Sequence, residues 1–325
     1  MSVDANVSLS GKVVTVLGGT GFFGRHLAQE LLARGARLRL ASRAPQKAWR
    51  VRPLGNLGQL QFLPVDVTRP QTLSAAFAGA DAVVNLVGSF SGNLDALQGS
   101  GAGRVAAAAS DAGISSYVQI SAIGADFNSS IAYARTKAEG EAAVLAAFPA
   151  ATIMRPSILF ADDDNFVMMF GQLISKLPAL PVFAPDAKLQ PLFADDAAEA
   201  VANALGRQQA QGQTYEIAGP ETITMREINQ RIAAAQRRKR SFIELPDRVS
   251  NAIAALPGTP ITRDQLALLR RGNVADPSLP GIEDLGISPR PLSLFLERWM
   301  VRFRKYGRFS ETDRGDSMPA PGAKF

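Results

Sequence analysis

Tyr133 and Lys137 stand four residues apart in a segment that reads as helix, so both side chains share one face. An ammonium beside a phenol favours the phenolate and lowers its pKa. A proton donor or acceptor that partners hydride transfer needs that property. Lys137 has a second use, since it can hold a nicotinamide ribose. Ser121, 12 residues upstream of Tyr133 and just past a strand-like run, is placed to polarise a substrate carbonyl. No catalytic residue is assigned on these grounds; Ser121, Tyr133 and Lys137 stand as a candidate vestigial set, because a retained pair also serves simply to grip ribose.

Near the N-terminus, Gly18-Gly19-Thr20-Gly21-Phe22-Phe23-Gly24 has the spacing G-x-x-G-x-x-G. Glycine there permits a tight turn, close approach of backbone to a pyrophosphate, and close packing of helix on strand. The helix that follows offers free N–H groups and a partial positive charge to phosphates. The next strand ends in Ala41-Ser42-Arg43, and no acidic residue follows until Asp66. An NAD site usually places Asp or Glu there to accept the ribose 2′-hydroxyl, whereas an arginine suits a 2′-phosphate. The expected cofactor is therefore NADPH, with Ser42, Arg43 and Lys47 around the phosphate and Asp66-Val67 against the adenine.

The elements that must position these groups alternate. Apolar, β-branched runs at 12–17, 37–41, 60–65, 82–87, 117–120 and 151–154 read as buried strands. Helical patterns intervene, at 22–33, in an Ala-rich stretch ending near 112, and at 132–147. Strands alternating with helices predict an α/β fold, a Rossmann-type doubly wound parallel sheet. Residues 1–155 read as the NADP(H)-binding domain and 156–309 as a smaller C-terminal α/β lobe ending in a docking helix. The polar, Pro-rich stretch 310–325 reads as a disordered tail. The Gly/Ser-rich segment 89–103 is expected to carry the loop after the fourth strand, which helps line a substrate cleft.

Composition narrows the chemistry. The chain has no cysteine and one histidine, His26, which excludes disulfides, thiolate catalysis and multi-histidine metal sites. Asp162, Asp163 and Asp164 read as a solvated acidic run, and no metal is expected. The first eleven residues lack the charged and apolar regions of a signal peptide, and no apolar run is long enough to span a bilayer. Net charge is +6, and residues 237–308 carry 14 Lys/Arg against 7 Asp/Glu. That excess reads either as a solvated basic face or as a docking surface for an acidic partner or anionic lipid. No nucleic-acid motif of defined spacing accompanies it. In the helix over 292–305, Leu292, Phe295, Leu296, Trp299 and Phe303 form an apolar stripe. The stripe suits an anionic bilayer, a partner's groove or the protein's own core.

The glycine loop, Asp66-Val67, Asn85-Leu86-Val87-Gly88, Tyr133-Ala-Arg-Thr-Lys137 and Arg155-Pro156-Ser157 together resemble the short-chain dehydrogenase/reductase superfamily, in its extended or atypical branch. A narrower resemblance rests on Gln190-Pro-Leu-Phe-Ala-Asp-Asp196, Tyr215-Glu-Ile-Ala-Gly-Pro220, Thr262-Arg-Asp-Gln265 with Asn273, and Arg302-Phe-Arg-Lys-Tyr-Gly307. These are similar to the nucleotide-binding accessory subunits of respiratory complex I, the NADH:ubiquinone oxidoreductase. That resemblance implies tightly held NADPH and a structural role at the junction of the peripheral and membrane arms, among other complex I subunits. The location implied is peripheral, on the cytoplasmic side of a bacterial inner membrane or on the mitochondrial matrix side. It also implies cofactor contacts by Gly18, Thr20, Gly21, Phe22, Phe23, Gly24, Ser42, Arg43, Asp66, Val67 and Lys137. Leu86, Val87, Gly88, Tyr133 and Pro156 join that set from the matching motifs. Two other readings stay open: a free NADP-dependent reductase or nucleotide-sugar-type epimerase using the Tyr-Lys pair, and an NADP(H)-sensing binding module.

Overall fold

A computed structural model describes residues 7–256, 261–305 and 307; the stretch 310–325, read above as a tail, lies outside the described residues. The alternating pattern folds as β1 (Val13–Leu17), α1 (Phe22–Ala33), β2 (Arg37–Ser42), β3 (Leu60–Pro64), α2 (Leu73–Phe77), β4 (Ala82–Asn85), α3 (Leu94–Gln98), α4 (Ser100–Asp111), β5 (Ser116–Ile120), α5 (Ala132–Ala147) and β6 (Thr152–Pro156). Each strand of the sheet runs parallel to its neighbours. The spatial order is β3-β2-β1-β4-β5-β6, completed by a seventh strand. The chain winds outward from β1 to β3, then crosses to β4 and winds the other way. The strand order therefore reverses between β1 and β4, and the crevice beyond their carboxyl ends is where such sheets bind ligands.

Beyond β6 come β7 (Leu159–Phe160), α6 (Val167–Lys176), β8 (Ala179–Val182), β9 (Lys188–Leu189), β10 (Leu192–Phe193) and α7 (Ala194–Gly206). They are followed by β11 (Thr214–Ile217), β12 (Ile223–Thr224), α8 (Met225–Ala235), β13 (Ser241–Glu244), α9 (Asp247–Ala254), α10 (Arg263–Arg271) and α11 (Ser293–Met300). β11 is the seventh sheet strand, pairing with β6. One face of the sheet is closed by α1 and α7, around Leu27, Leu31, Ala198 and Val201. The other is closed by α2, α4 and α5, around Phe77, Val105 and Val144. A third apolar cluster fills the lobe.

Two readings sharpen here. The Gly/Ser-rich segment is mostly helix: only 86–93 form loop, and α3 and α4 follow. Its glycines serve close helix packing. A Cβ on Gly103 would lie 2.8 Å from the Ala143 Cβ, and one on Gly140 would lie 1.9 Å from the Gln98 carbonyl oxygen. The apolar stripe of α11 is also committed, because Leu292, Leu296 and Trp299 are buried in the lobe's own core. Phe295 stacks on Phe193 at 4.2 Å and on Trp299 at 4.9 Å. The helix itself stops at Met300, with one tighter turn to Phe303. The stripe is thus unavailable to a bilayer.

Much of the basic excess is spent inside the molecule as well. Arg238 donates to the Phe303 carbonyl, Arg240 to Ile174 and Arg304 to Ala235. Arg290 meets the buried Asp196, and Arg271 meets Asp126. The acidic run is not simply solvated either. Buried Asp164 accepts backbone N–H bonds from Ala161, Phe166 and Met168, capping the start of α6. Asp163 pairs with Arg25 and His26.

Candidate functional site

Register brings the ends of three strands together. Leu17 lies opposite both Ala41 and Asn85, so Gly18, Ser42 and Leu86 leave the sheet side by side. Gly18 donates to the Ala41 carbonyl at 2.9 Å, and Leu86 donates to the Leu17 carbonyl at 3.0 Å. Gly18 holds φ +77, a region that favours glycine. A Cβ on Gly24 would fall 2.6 Å from the Gly19 backbone, and one on Gly19 would fall 2.7 Å from Leu40 Cδ2. The loop is therefore a cradle that only glycine permits. α1 begins at Phe22 with no acidic residue in its first turn and no capping side chain. Its terminal N–H groups are left for an anion. Phe23 turns inward to the core while half-buried Phe22 meets the His26 ring edge at 5.2 Å. Thr20 and Gly21 form the outer lip of the loop.

At the end of β2, the Ser42 hydroxyl is buried with no hydrogen-bond partner. An orphaned buried hydroxyl is costly, and a bound polar group would satisfy it. Arg43 is exposed beside it; the Lys47 side chain lies outside the described residues. Asp66 accepts from the Thr68 backbone N–H at 3.0 Å and the Thr68 hydroxyl at 2.8 Å, both on Oδ1. Those bonds hold its carboxyl below the usual range. Asp66 thus shapes its own turn, and Val67 is buried beneath it.

On the other side of the crevice, Asn85 ties β4 to β5. Its amide donates to Gln119 Oε1 at 3.0 Å, and its Oδ1 accepts from the Val87 N–H at 3.1 Å. Gln119 also accepts from the buried Tyr117 hydroxyl. The loop over 86–88 is thereby fixed. Gly88 lies so close to Lys137 that a Cβ there would be 3.1 Å from Nζ. Lys137 is buried and donates to the Ile120 carbonyl at 3.1 Å. Burial pushes its ammonium down to about 8, against the opposing pull of Glu141. The Ser121 hydroxyl, one residue beyond Ile120, is a second buried oxygen without a partner. Pro156, at the end of β6, is buried on the same side.

Tyr133 departs from expectation. Burial pushes its phenol up to about 12, the reverse of the lowering expected from a neighbouring ammonium. The reason is geometric: Nζ of Lys137 stands 5.9 Å from the ring centroid, over its face, and is bonded elsewhere. Phe90 stacks on the same ring at 4.2 Å and 15°. Ser89, its neighbour, donates to Gln98 Oε1 at 3.0 Å, and Gln98 in turn donates to Thr136. Phe90 and Gln98 were not legible as site residues. Their only sequence signal is position, one in the loop after β4 and the other at the end of α3.

His26 is the other residue that pattern reading missed. It contacts Asp195 at 2.6 Å through Nδ1 and Asp163 at 3.2 Å through Nε2, joining α1 to the lobe. Burial works against its charge, but the two carboxylates outweigh that and its pKa is raised. A raised folded pKa gives stability that is full below pH about 6.5, the ordinary histidine value, and is lost as pH rises through the folded pKa. Urea unfolding at pH 6 and pH 8 should therefore show a fall in stability that His26→Gln abolishes. An unchanged pH slope in that variant would remove His26 from the clasp.

The narrower signature residues prove to build the joint between sheet and lobe. Gln190 donates to the Gly219 carbonyl at 2.8 Å and accepts from the Ala275 N–H at 3.0 Å. Asn273 accepts from the Ile158 N–H at 2.7 Å. Thr262 and Gln265 cap α10 reciprocally, a capping box. No described helix is long and apolar enough to cross a membrane.

Comparison with known proteins agrees with this architecture. The sequence model of an NAD(P)H-binding family matches residues 18–172, and that of an RmlD substrate binding domain matches residues 126–275. The chain is 30% identical over 322 residues to NADH dehydrogenase (ubiquinone) 1 alpha subcomplex subunit 9, mitochondrial, of Arabidopsis thaliana, covering 92% of this chain and 80% of the relative. It is 30% identical over 330 residues to the Rattus norvegicus protein of the same name, covering 98% and 87%. The crystal structure of Citrobacter sp. triphenylmethane reductase complexed with NADP(H) superposes with a TM-score of 0.73 at 19% identity, covering 88% of this chain and 99% of that one. That likeness shows the fold alone.

Proposed function

The chain belongs to the family of NADH dehydrogenase (ubiquinone) 1 alpha subcomplex subunit 9, and we propose that it is an accessory, non-catalytic subunit of respiratory complex I that holds NADPH where the peripheral and membrane arms meet. The observation that carries this reading is the length of the likeness. It runs through the lobe as well as the nucleotide half, and the lobe's signature residues maintain the joint between the two. The division into a Rossmann domain to 155 and a lobe from 156 to 309 is part of the proposal, with β11 lent back to the sheet. The location is peripheral, on the cytoplasmic face of a bacterial inner membrane or its matrix-side equivalent.

The residues present fit the cofactor. Gly18, Thr20, Gly21, Phe22, Phe23 and Gly24 would hold the pyrophosphate, and Asp66 with Val67 the adenine. Ser42 and Arg43 support NADPH over NADH, because an orphaned hydroxyl and an exposed guanidinium stand where an NAD site places a carboxylate. Leu86, Val87, Gly88, Tyr133, Lys137 and Pro156 would line the nicotinamide half. NADPH, when bound, could supply hydride. The Phe90 ring over Tyr133 and the raised phenol pKa favour retention without turnover.

The test is to recover the tagged chain from gently solubilised membranes and identify its companions and nucleotide. Complex I subunits and about one retained NADPH per chain are expected. Arg43→Ala should weaken NADPH by about 30-fold, the loss of a charged hydrogen bond worth about 2 kcal/mol, and leave NADH nearly unchanged. Recovery without complex I subunits would overturn the assignment. A second reading, a reductase, is favoured by the unpartnered Ser121 hydroxyl beside the Tyr-Lys pair. It would be established by carbonyl-dependent NADPH consumption that collapses in Tyr133→Phe.

A further inference from the structure

Between Glu30 and Asp66 the chain has seven basic residues and no acidic one. Two of the exposed members, Arg50 and Arg52, lie in the connection from β2 to β3 on two short 3-10 turns, Pro45–Arg50 and Arg52–Leu54. Ala48 and Val51 are buried and pin the turns to the body. Three large apolar side chains face outward beside them. Trp49 is 64% exposed, Leu54 is exposed, and Leu57 is fully exposed at a turn whose next residue, Gly58, holds φ +80. Arg50 lies over the Trp49 ring at 4.9 Å, and Arg52 lies over the Phe62 ring at 5.4 Å. Both guanidiniums are exposed. Neither is within ion-pair distance of a carboxylate among the described residues.

We propose that this connection is a membrane-surface wedge, with Trp49, Leu54 and Leu57 entering the headgroup region of an anionic bilayer while Arg50 and Arg52 meet lipid phosphates. Three features select a bilayer. The apolar groups stand on projecting turns, whereas a peptide partner would need a groove. The indole and the arginine stems are the side chains that tolerate the boundary between water and hydrocarbon. The absence of any acidic residue removes the repulsion that a uniformly anionic surface would otherwise meet. The wedge supplies the lipid contact that the α11 stripe, buried in its own core, is unable to make. It stands independently of the cofactor and of complex membership.

The chain offers a site-resolved probe, since it has two tryptophans and Trp299 is buried. A shift in indole emission therefore reports on Trp49. The full chain is mixed with vesicles of phosphatidylcholine alone, or of phosphatidylcholine with phosphatidylglycerol. Sedimentation, emission and acrylamide quenching are read. With the anionic vesicles only, the chain should cosediment, its emission shift to the blue and the quenching of Trp49 fall. Arg50→Glu with Arg52→Glu should weaken partitioning by at least about 30-fold, from roughly a tenfold loss for each 1.4 kcal/mol and about 1 kcal/mol per basic residue. Trp49→Ala and Leu57→Ser should weaken it with little change in its salt dependence. Absence of cosedimentation would overturn the proposal. So would cosedimentation that leaves Trp49 fully quenchable, since the chain would then meet the bilayer through another surface.

Discussion

Gly24→Ala is expected to release the nucleotide from a chain that still folds. The new methyl would stand 2.6 Å from both Cα and carbonyl carbon of Gly19, and backbone is unable to yield as a flexible side chain does. Gly19 has little room of its own, with Leu40 and Val16 packed beneath it. The strain therefore moves the loop outward, into the space a pyrophosphate would take and away from the free N–H groups of α1. Overpacking of this kind costs about 1–3 kcal/mol of stability, which a domain of this size survives. The loss of aligned N–H donors should weaken NADPH by about 100-fold or more, at about 1.5–3 kcal/mol for each charged hydrogen bond lost. Titration calorimetry gives the affinity, and thermal unfolding with and without NADPH gives the linked stabilisation. Wild-type affinity in Gly24→Ala would mean that the cofactor is not held by this loop.

That result would test the part of the site most legible in sequence. A glycine spacing between strand and helix encodes a backbone shape, and backbone shape is local. The helices at 22–33 and 132–147 were readable to the residue for the same reason, each having a continuous pattern and a definite start. What escaped was tertiary. β11 was missed because Thr214–Ile217 is four residues long and lies within the lobe's stretch of sequence, so nothing local says that it returns to pair with β6. The α11 stripe was ambiguous because an apolar face reads the same whatever covers it. The Tyr133 phenol was misjudged because spacing on a helix places Lys137 beside it but does not show that Nζ bonds to Ile120 or that Phe90 lies on the ring. The role of His26 depends on Asp163 and Asp195, more than a hundred residues away.

The same limit governs Arg155, and it sets the second large effect. Arg155 on β6 makes two parallel bonds to Glu141, at 2.9 and 2.6 Å, and a third to Glu216 at 3.3 Å. Glu216, on β11, also accepts from the Asp276 N–H at 2.8 Å. One guanidinium therefore ties α5, the last two strands and the connection to the lobe. Both carboxylates are nearly buried, whereas the Arg155 side chain keeps 22% exposure. Arg155→Leu strands two buried carboxylates. Breaking a buried pair costs about 3–5 kcal/mol, and the partial exposure of the arginine places the expected loss near the lower end. The deficit relative to wild type should be full where the stranded carboxylates are ionised and shrink as acid neutralises them. Glu141→Leu and Glu216→Leu added to Arg155→Leu should recover most of the stability, since an apolar trio leaves no buried charge unpaired. Glu141 also sustains the charge on Lys137, one turn earlier on α5. Loss of the arginine should therefore reach the nucleotide site as well, through a Glu141 freed to act on Lys137. Denaturant unfolding across pH, paired with NADPH affinity, would show both effects. Equal stability of Arg155→Leu and wild type at neutral pH would mean that water, entering the cluster, replaces the guanidinium at no cost.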